Sequence, residues 1–481
     1  MTRTRFDAPW IVAYQDGGHR TLRDGCVVVE DDRIVHVGHD YAGPVDRTVP
    51  TGAVITPGLI STHSHLHESP VDKSLGEDVP RRQWWSTSLI DILPTKGASL
   101  REPDMLACTE LSLHEHIRTG TTTVLQLGSL SEQVAERIAA SGLRAYVGEF
   151  YRSGRWFTPD GRRVAYEWDE EGGRRGLDRA IRVVEQLRGY AGDRIRGLLT
   201  PAQVDTCTEE LLRASRAAAD DLDVPLTLHA AQSLSEFHEV TRRHGRTPVE
   251  WLADIGFLGG RTILGHGLFV TGNPWVNFDG DDLGLLADSG TTVAYSAWVM
   301  ARNGIAMESY DRYAERGVNV TLGTDTTTQS MIESCRWAAI VGKLVSRRAD
   351  GVTAGQVFDA ATLHAAAALG RDDLGRIAPG AKADLLFWRT KTLHTTPMRD
   401  PVRVLVYYAQ AEDLADVMVD GAWVQRDGVP LHTDLAAAVE GVDRAAEQVW
   451  AGWSAHDWDG RDVAEHLPMT YPAFTPPTTS S

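Results

Sequence analysis

The chain of 481 residues is short of cysteine, short of basic residues relative to acidic ones, and without a long apolar run. Its four cysteines, Cys26, Cys108, Cys207 and Cys335, are scattered with no CxxC pair. That argues against a disulfide framework and for a reducing compartment. Lysine and arginine number 48 against 66 aspartates and glutamates, a formal charge of −18. Such a surface repels phosphate backbones and anionic bilayers, so no nucleic-acid or membrane partner is expected. No segment approaches the roughly 18–20 apolar residues of a membrane span, and the opening MTRTRFDAPW has no signal-peptide core. The expected location is the cytoplasm. Internal repeats and low-complexity blocks are also missing. What remains is a globular composition, 42% hydrophobic and 24% charged. The length suits two or three domains, or one large barrel with an accessory.

Residues 1–56 read as short strands with turns. Cys26–Glu30 and Arg33–Val37 flank Asp31-Asp32, which predicts a tight hairpin. From Ile55 onward short β-branched runs alternate with longer helical stretches. Eight such runs are legible: Ile55–His63, Thr122–Leu127, Arg144–Glu149, Arg194–Thr200, Pro225–His229, Thr262–His266, Thr291–Tyr295 and Val318–Asp325. Eight strand–helix units predict an α/β fold built on a (β/α)8 TIM-like barrel over 57–372. Strand-and-turn writing returns after Leu374, so residues 1–56 and 373–481 are predicted to form one small composite β-sandwich domain. Within it, Thr433–Trp453 reads as a helix, and Thr475–Ser481 as a polar tail.

Barrel active sites sit at the C-terminal ends of strands. The first predicted strand ends in His63-Ser64-His65, whose imidazoles share one face and can converge on one ion. The fifth ends in His229, the sixth in His266, and the eighth in Asp325. A single strand-end histidine is more often a hydrogen-bonded structural residue. Five such residues at the ends of four strands point to a metal site.

These motifs make the chain similar to the amidohydrolase superfamily. The resemblance lies in Thr56-Pro57-Gly58-Leu59-Ile60-Ser61-Thr62-His63-Ser64-His65, Leu228-His229, Gly265-His266 and Leu322-Gly323-Thr324-Asp325. Ala361–Ala366 and Gly380–Leu385 support it. Within the superfamily the chain resembles the mononuclear-metal branch of triazine hydrolases, cytosine and guanine deaminases and imidazolonepropionases. The resemblance implies His63, His65, His229 and Asp325 as ligands of one divalent metal, and His266 beside the reacting centre. The fourth predicted strand ends Leu198-Leu199-Thr200-Pro201-Ala202-Gln203, without the lysine that bridges two metals in binuclear members. Three imidazoles and a carboxylate suit zinc, with iron as the alternative.

The implied reaction is attack of metal-activated water on a carbon bonded to nitrogen in a small planar heterocycle, a deaminase-type hydrolysis. Asp325 would take the proton from water and His266 would stabilise developing charge. One position departs from the deaminase pattern. Where a glutamate usually follows the fifth-strand histidine by three residues, this chain has Gln232. An amide cannot exchange the proton, a service typically worth about 10²–10⁴ in rate. Asp325 alone, Glu149, or a leaving group that needs no proton are the available solutions, while Glu236 is expected to point away. Ring opening of a cyclic amide and dehalogenation of a heteroaryl halide are the alternative reactions. A catalytically silent metal-binding scaffold is the alternative of another class.

For substrate binding the sequence offers Trp84 and Trp85 in the loop after the first strand and Trp298 after the seventh, as stacking surfaces. Gln126, Glu149 and Gln203 end the second, third and fourth strands, and His67 follows the metal pair. His114 and His116, in the helix before the second strand, are expected to face solvent or cap the helix rather than to be ligands. A homodimer is the default expectation.

Overall fold

The computed structural model describes residues 2–76, 78, 88–308 and 310–475. Five strands come first: β1 (Arg3–Gln15), β2 (Gly18–Glu30), β3 (Arg33–Gly38), β4 (Arg47–Pro50) and β5 (Ala53–Pro57). The central part contributes β6 (Leu59–Ser64), β7 (Thr121–Gly128), β8 (Arg144–Tyr151), the hairpin of β9 (Gly154–Phe157) and β10 (Ala165–Trp168), and β11 (Ile195–Gly197). It continues with β12 (Thr200–Pro201), β13 (Leu226–Ala230), β14 (Thr262–His266), β15 (Thr292–Tyr295) and β16 (Asn319–Leu322). The last strands are β17 (Leu385–Arg389), β18 (Leu414–Val419), β19 (Ala422–Arg426) and β20 (Val429–Pro430).

The fold is mixed α/β. One sheet runs β20-β19-β18-β17-β5-β1-β2-β3, with β4 on β1, and so draws strands from both ends of the chain. The hairpin expected around Asp31-Asp32 joins β2 to β3, with Glu30 opposite Arg33. Two further sheets are parallel: β6-β7-β8-β11, with β12 also on β8, and β13-β14-β15-β16. Isolated parallel bridges connect their edges, at Leu199↔Leu226 and Gln203↔His229 on one side and at Ser64↔Asp325 on the other. Every residue of β7, β13 and β14 is buried, as strands covered on both faces must be.

Two predicted strands resolve differently. The run Ile55–His63 is two strands in two sheets, β5 antiparallel to β17 and β6 parallel to β7. Gly58 between them is required, because a Cβ there would collide with the Thr122 side chain. The run Arg194–Thr200 splits into β11 and β12, and the hairpin β9–β10 was not legible at all. The C-terminal helix spans Leu435–His456, starting where the Asp434 side chain accepts from the Ala437 N–H. Residues 476–481 of the expected tail lie outside the described residues.

Candidate metal centre

The ends of β6, β13 and β14 and the segment after β16 converge. His63 and His65 leave β6 on one face, while Ser64 points the other way. There the Ser64 hydroxyl donates to Gln329 Oε1 at 2.8 Å and lies 3.3 Å from His116 Nε2. Asp325 is tied to the same strand by its backbone: its N–H donates to His63 O at 2.9 Å, and the His65 N–H donates to Asp325 O at 2.8 Å. The carboxylate then stands with Oδ1 3.3 Å from His65 Nε2 and 3.8 Å from His63 Nε2, and Oδ2 3.8 Å from His266 Nε2. Asp325 holds φ +60°, a left-handed conformation that costs an ordinary residue energy and persists where the surroundings impose it. Gly265 makes room for the His63 ring, which a Cβ at that position would meet at 2.5 Å.

Two carbonyl oxygens set the tautomers. His65 Nδ1 lies 2.9 Å from Leu127 O, and His229 Nδ1 lies 2.7 Å from Ala202 O. A carbonyl only accepts, so each Nδ1 carries a hydrogen, and each ring, when neutral, turns its lone pair out at Nε2. Those two Nε2 atoms face each other at 3.2 Å. Lone pairs so close repel unless a cation lies between them. Both ring nitrogens of buried His63 and of buried His266 lack a hydrogen-bond partner, which an interior tolerates only when something else satisfies them. His63, His65 and Asp325, and again His63, His229 and His266, place ligand atoms within 4.8 Å of one another. The residues present therefore fit a divalent ion, with the other ring nitrogen of His65 and of His229 fixed by hydrogen bonds as ligating imidazoles require.

The electrostatics agree. Burial keeps His63 neutral and pushes His229 down to about 3. Burial also opposes charge on His65, but the Asp325 carboxylate overrides it and holds that imidazole up. For Asp325 burial is overridden by the surrounding histidines, led by His266, and the carboxyl stays well below its usual range. An ionised carboxylate is thus available at neutral pH.

The site opens on a cavity lined, among the described residues, by His65, His229 and Asp325, by Gln203 and Gln232, and by Phe150, Leu89, Ile92, Leu93, Val299 and Ile305. The other predicted substrate contacts among the described residues lie elsewhere. Gln126 is spent on the Leu66 N–H (2.8 Å) and on His67 Nδ1 (3.3 Å), which takes both side chains out of the lining. Glu149 accepts from Ser131 N–H and Oγ, holding the start of the helix Ser131–Ser141, and so cannot stand in for the missing glutamate. Trp298 packs its ring 5.2 Å from that of Trp337, away from the cavity. Trp84 and Trp85 lie outside the described residues. Glu236 points away as expected. Its carboxylate accepts the N–H groups of Ala231 (2.5 Å) and Gln232 (3.1 Å), pinning the turn that carries Gln232. His116 is not solvent-facing but fully buried between Ser64 and Thr121.

Sequence reasoning missed Glu68. It lines the cavity three residues after His65, its side chain 21% exposed, with its carboxylate 3.5 Å from the fully buried Lys96. Lys96 also binds Asp72 at 2.7 Å. Burial would raise the Glu68 carboxyl, but Lys96 overrides it and holds the group at about 2. A carboxylate three residues after the His63–His65 pair was the available signal. Its partner, 28 positions further on, carried none.

The amidohydrolase family model matches residues 54–424. The chain is 32% identical over 413 residues to a 5'-deoxyadenosine deaminase of Methanothermobacter thermautotrophicus, covering 85% of this chain and 90% of that protein. It is 32% identical over 438 residues to a 5-methylthioadenosine/S-adenosylhomocysteine deaminase of Halobacterium salinarum, covering 90% and 95%. In structure it resembles an adenosine deaminase from Xanthomonas campestris with bound zinc, at a TM-score of 0.80 and 24% identity, covering 93% of this chain and 98% of that one. The chain belongs to the amidohydrolase family and is a hydrolase of carbon–nitrogen bonds.

Proposed function

We propose that the protein is a mononuclear-metal deaminase acting on the amino-substituted ring of a purine nucleoside of the adenosine type. His63, His65, His229 and Asp325 would hold one ion, zinc ahead of iron. The observation that carries this reading is the pair of Nε2 atoms of His65 and His229 facing each other at 3.2 Å beside the buried Asp325 carboxylate, at the wall of a cavity. The relatives named above supply the substrate class. A divalent ion held there supplies Lewis acidity, which brings the pKa of water toward about 7.

The chain's own groups do the rest. Asp325 accepts a proton from the attacking water and passes it to nitrogen. The oxygen bonds to the ring carbon, the bond to the exocyclic nitrogen breaks, and ammonia leaves. His266 stabilises the charge that develops as oxygen adds. Gln232 and Gln203 orient the ring by hydrogen bonding, and Phe150 offers it a flat face. Glu68, kept ionised by Lys96, acts as an acceptor for substrate N–H or O–H groups and not as a proton carrier. The parallel pairings that pass from sheet to sheet and back to β6 support a (β/α)8 barrel over 57–372, with residues 1–56 and 373–481 as the composite β domain. Unpaired, buried cysteines fit a reducing cytoplasm.

The test is incubation of metal-loaded protein with adenosine, 5'-deoxyadenosine and 5'-methylthioadenosine. The expected result is stoichiometric ammonia, metal at one equivalent, and no turnover by Asp325→Asn. Gln232 favours one second reading, ring opening, in which the departing nitrogen stays attached. Water retained in the product without ammonia, on cyclic-amide substrates, would replace the first reading by that one.

A further inference from the structure

The family match ends at residue 424, and the helical segment that follows packs against helices beside the cavity. The helix Leu435–His456 packs on the helices Leu93–Ser99 and Glu102–Arg118, and Trp453 within it is fully buried. Just beyond, three side chains close on Asp91, the last residue of the short helix Ser88–Asp91. Trp458 Nε1 and Arg461 Nη2 each donate to Asp91 Oδ1 at 3.0 Å, and His466 Nε2 lies 2.8 Å from Oδ2. An indole only donates, and Trp453 Nε1 lies 3.2 Å from His466 Nδ1. Nδ1 is therefore the acceptor, and Nε2 carries the hydrogen given to Asp91.

Asp91, Asp457 and His466 are spaced to hold a cation. The Arg461 guanidinium already supplies one: it bonds Asp457 at 2.7 and 2.9 Å as well as Asp91. The cluster is thus a charge-assisted latch, with the fork of one arginine spanning two carboxylates. What it latches matters. Asp91 sits between Leu89 and the pair Ile92 and Leu93, all three of which line the cavity that His65, His229 and Asp325 also line. A second tie, from Trp450 Nε1 to Ser74 Oγ at 3.3 Å, holds the end of the turn that carries Asp72.

We propose that the C-terminal segment is a positioning element for substrate: Arg461, Trp458 and His466, acting through Asp91, set where Leu89, Ile92 and Leu93 stand, and so how the cavity grips an apolar ring or substituent. This rests on the reading of that cavity as the substrate site. None of these three latch residues touches the reacting atoms, so binding should suffer while chemistry does not.

The experiment compares full-length, metal-loaded wild type with Arg461→Ala, His466→Gln and Arg461→Lys. It measures steady-state kinetics and amide hydrogen exchange of the peptide 88–99. Loss of charge-assisted hydrogen bonds of this kind corresponds to roughly tenfold in an equilibrium constant. Arg461→Ala and His466→Gln are expected to raise KM about tenfold with kcat within about twofold, and to speed exchange in 88–99 by about tenfold. Arg461→Lys, which keeps the charge, should recover part of both. Unchanged exchange in 88–99 overturns the proposal, and so does faster exchange with KM unchanged or a fall in kcat alone. Exchange does not depend on turnover, so a wild type inactive on nucleosides whose variants still loosen 88–99 would discard the deaminase reading and leave the latch standing.

Discussion

At the candidate metal centre, backbone carbonyls and a buried carboxylate orient the side chains that face the cavity. Leu127 O and Ala202 O fix the tautomers of His65 and His229, and Glu236 fixes the turn on which Gln232 stands. The backbone at Gln232 is consequently held in place whatever the side chain, so Gln232→Glu changes the chemistry at that position with the turn kept. If proton delivery to the leaving nitrogen limits turnover, that variant raises kcat on amino-substituted rings by about tenfold or more, since a positioned acid–base group is worth about 10²–10⁴. An unchanged kcat and pH profile would mean that Asp325 already does all the proton work. The five metal-site candidates were readable because each is a polar residue ending a run of β-branched neighbours. Glu68, Asp72 and Lys96 were not, because their meeting depends on how the loop after β6 folds. Trp298 was misread for a related reason: an aromatic just after a strand has other aromatics to pack on, here Trp337.

Among the elements, β8 joins the parallel sheets to the composite one. Arg144, its first residue, is almost fully buried, with Nε and Nη2 each 3.2 Å from the Asp384 carboxylate and a further bond to Asp420. Asp384 precedes β17 and Asp420 follows β18. Removing one partner of a buried pair leaves an uncompensated charge. Arg144→Met is therefore expected to cost about 3–5 kcal/mol, read as a lower urea midpoint at unchanged m, because Asp384 would be stranded. A midpoint shift corresponding to less than about 1 kcal/mol would show that the clamp contributes no more than a surface pair. The alternation of strand and helix was legible from periodicity. The split of β11 from β12 and the hairpin β9–β10 were not, because elements of two to four residues carry too little pattern to register.

For the whole molecule, the charge of −18 sets partners, while buried neutral histidines set acid tolerance. Burial lowers His19 to about 4 and His116 to about 3. The unfolded chain protonates these side chains from about pH 6.5, whereas the folded one refuses the proton until far lower. Stability contributed by these groups is therefore complete above about pH 6.5 and is lost as pH falls toward 4. The slope is up to about 1.4 kcal/mol per pH unit for each. Urea midpoints at pH 7 and pH 5 should differ accordingly, and His19→Gln should shrink the difference. An identical difference in that variant would mean that His19 is not among the groups responsible.

A single residue, Gly58, separates the last antiparallel pairing of β5 from the first parallel pairing of β6. Five residues further on stands His63. A lever that short has no slack, so rocking of the terminal sheet would move the His63 imidazole away from the proposed metal site. The placement of His63 thus depends on the rigidity of a sheet whose strands, among the described residues, line no part of the cavity. Loosening it with an inserted residue beside Gly58 would disturb metal affinity before it disturbed anything a substrate could feel.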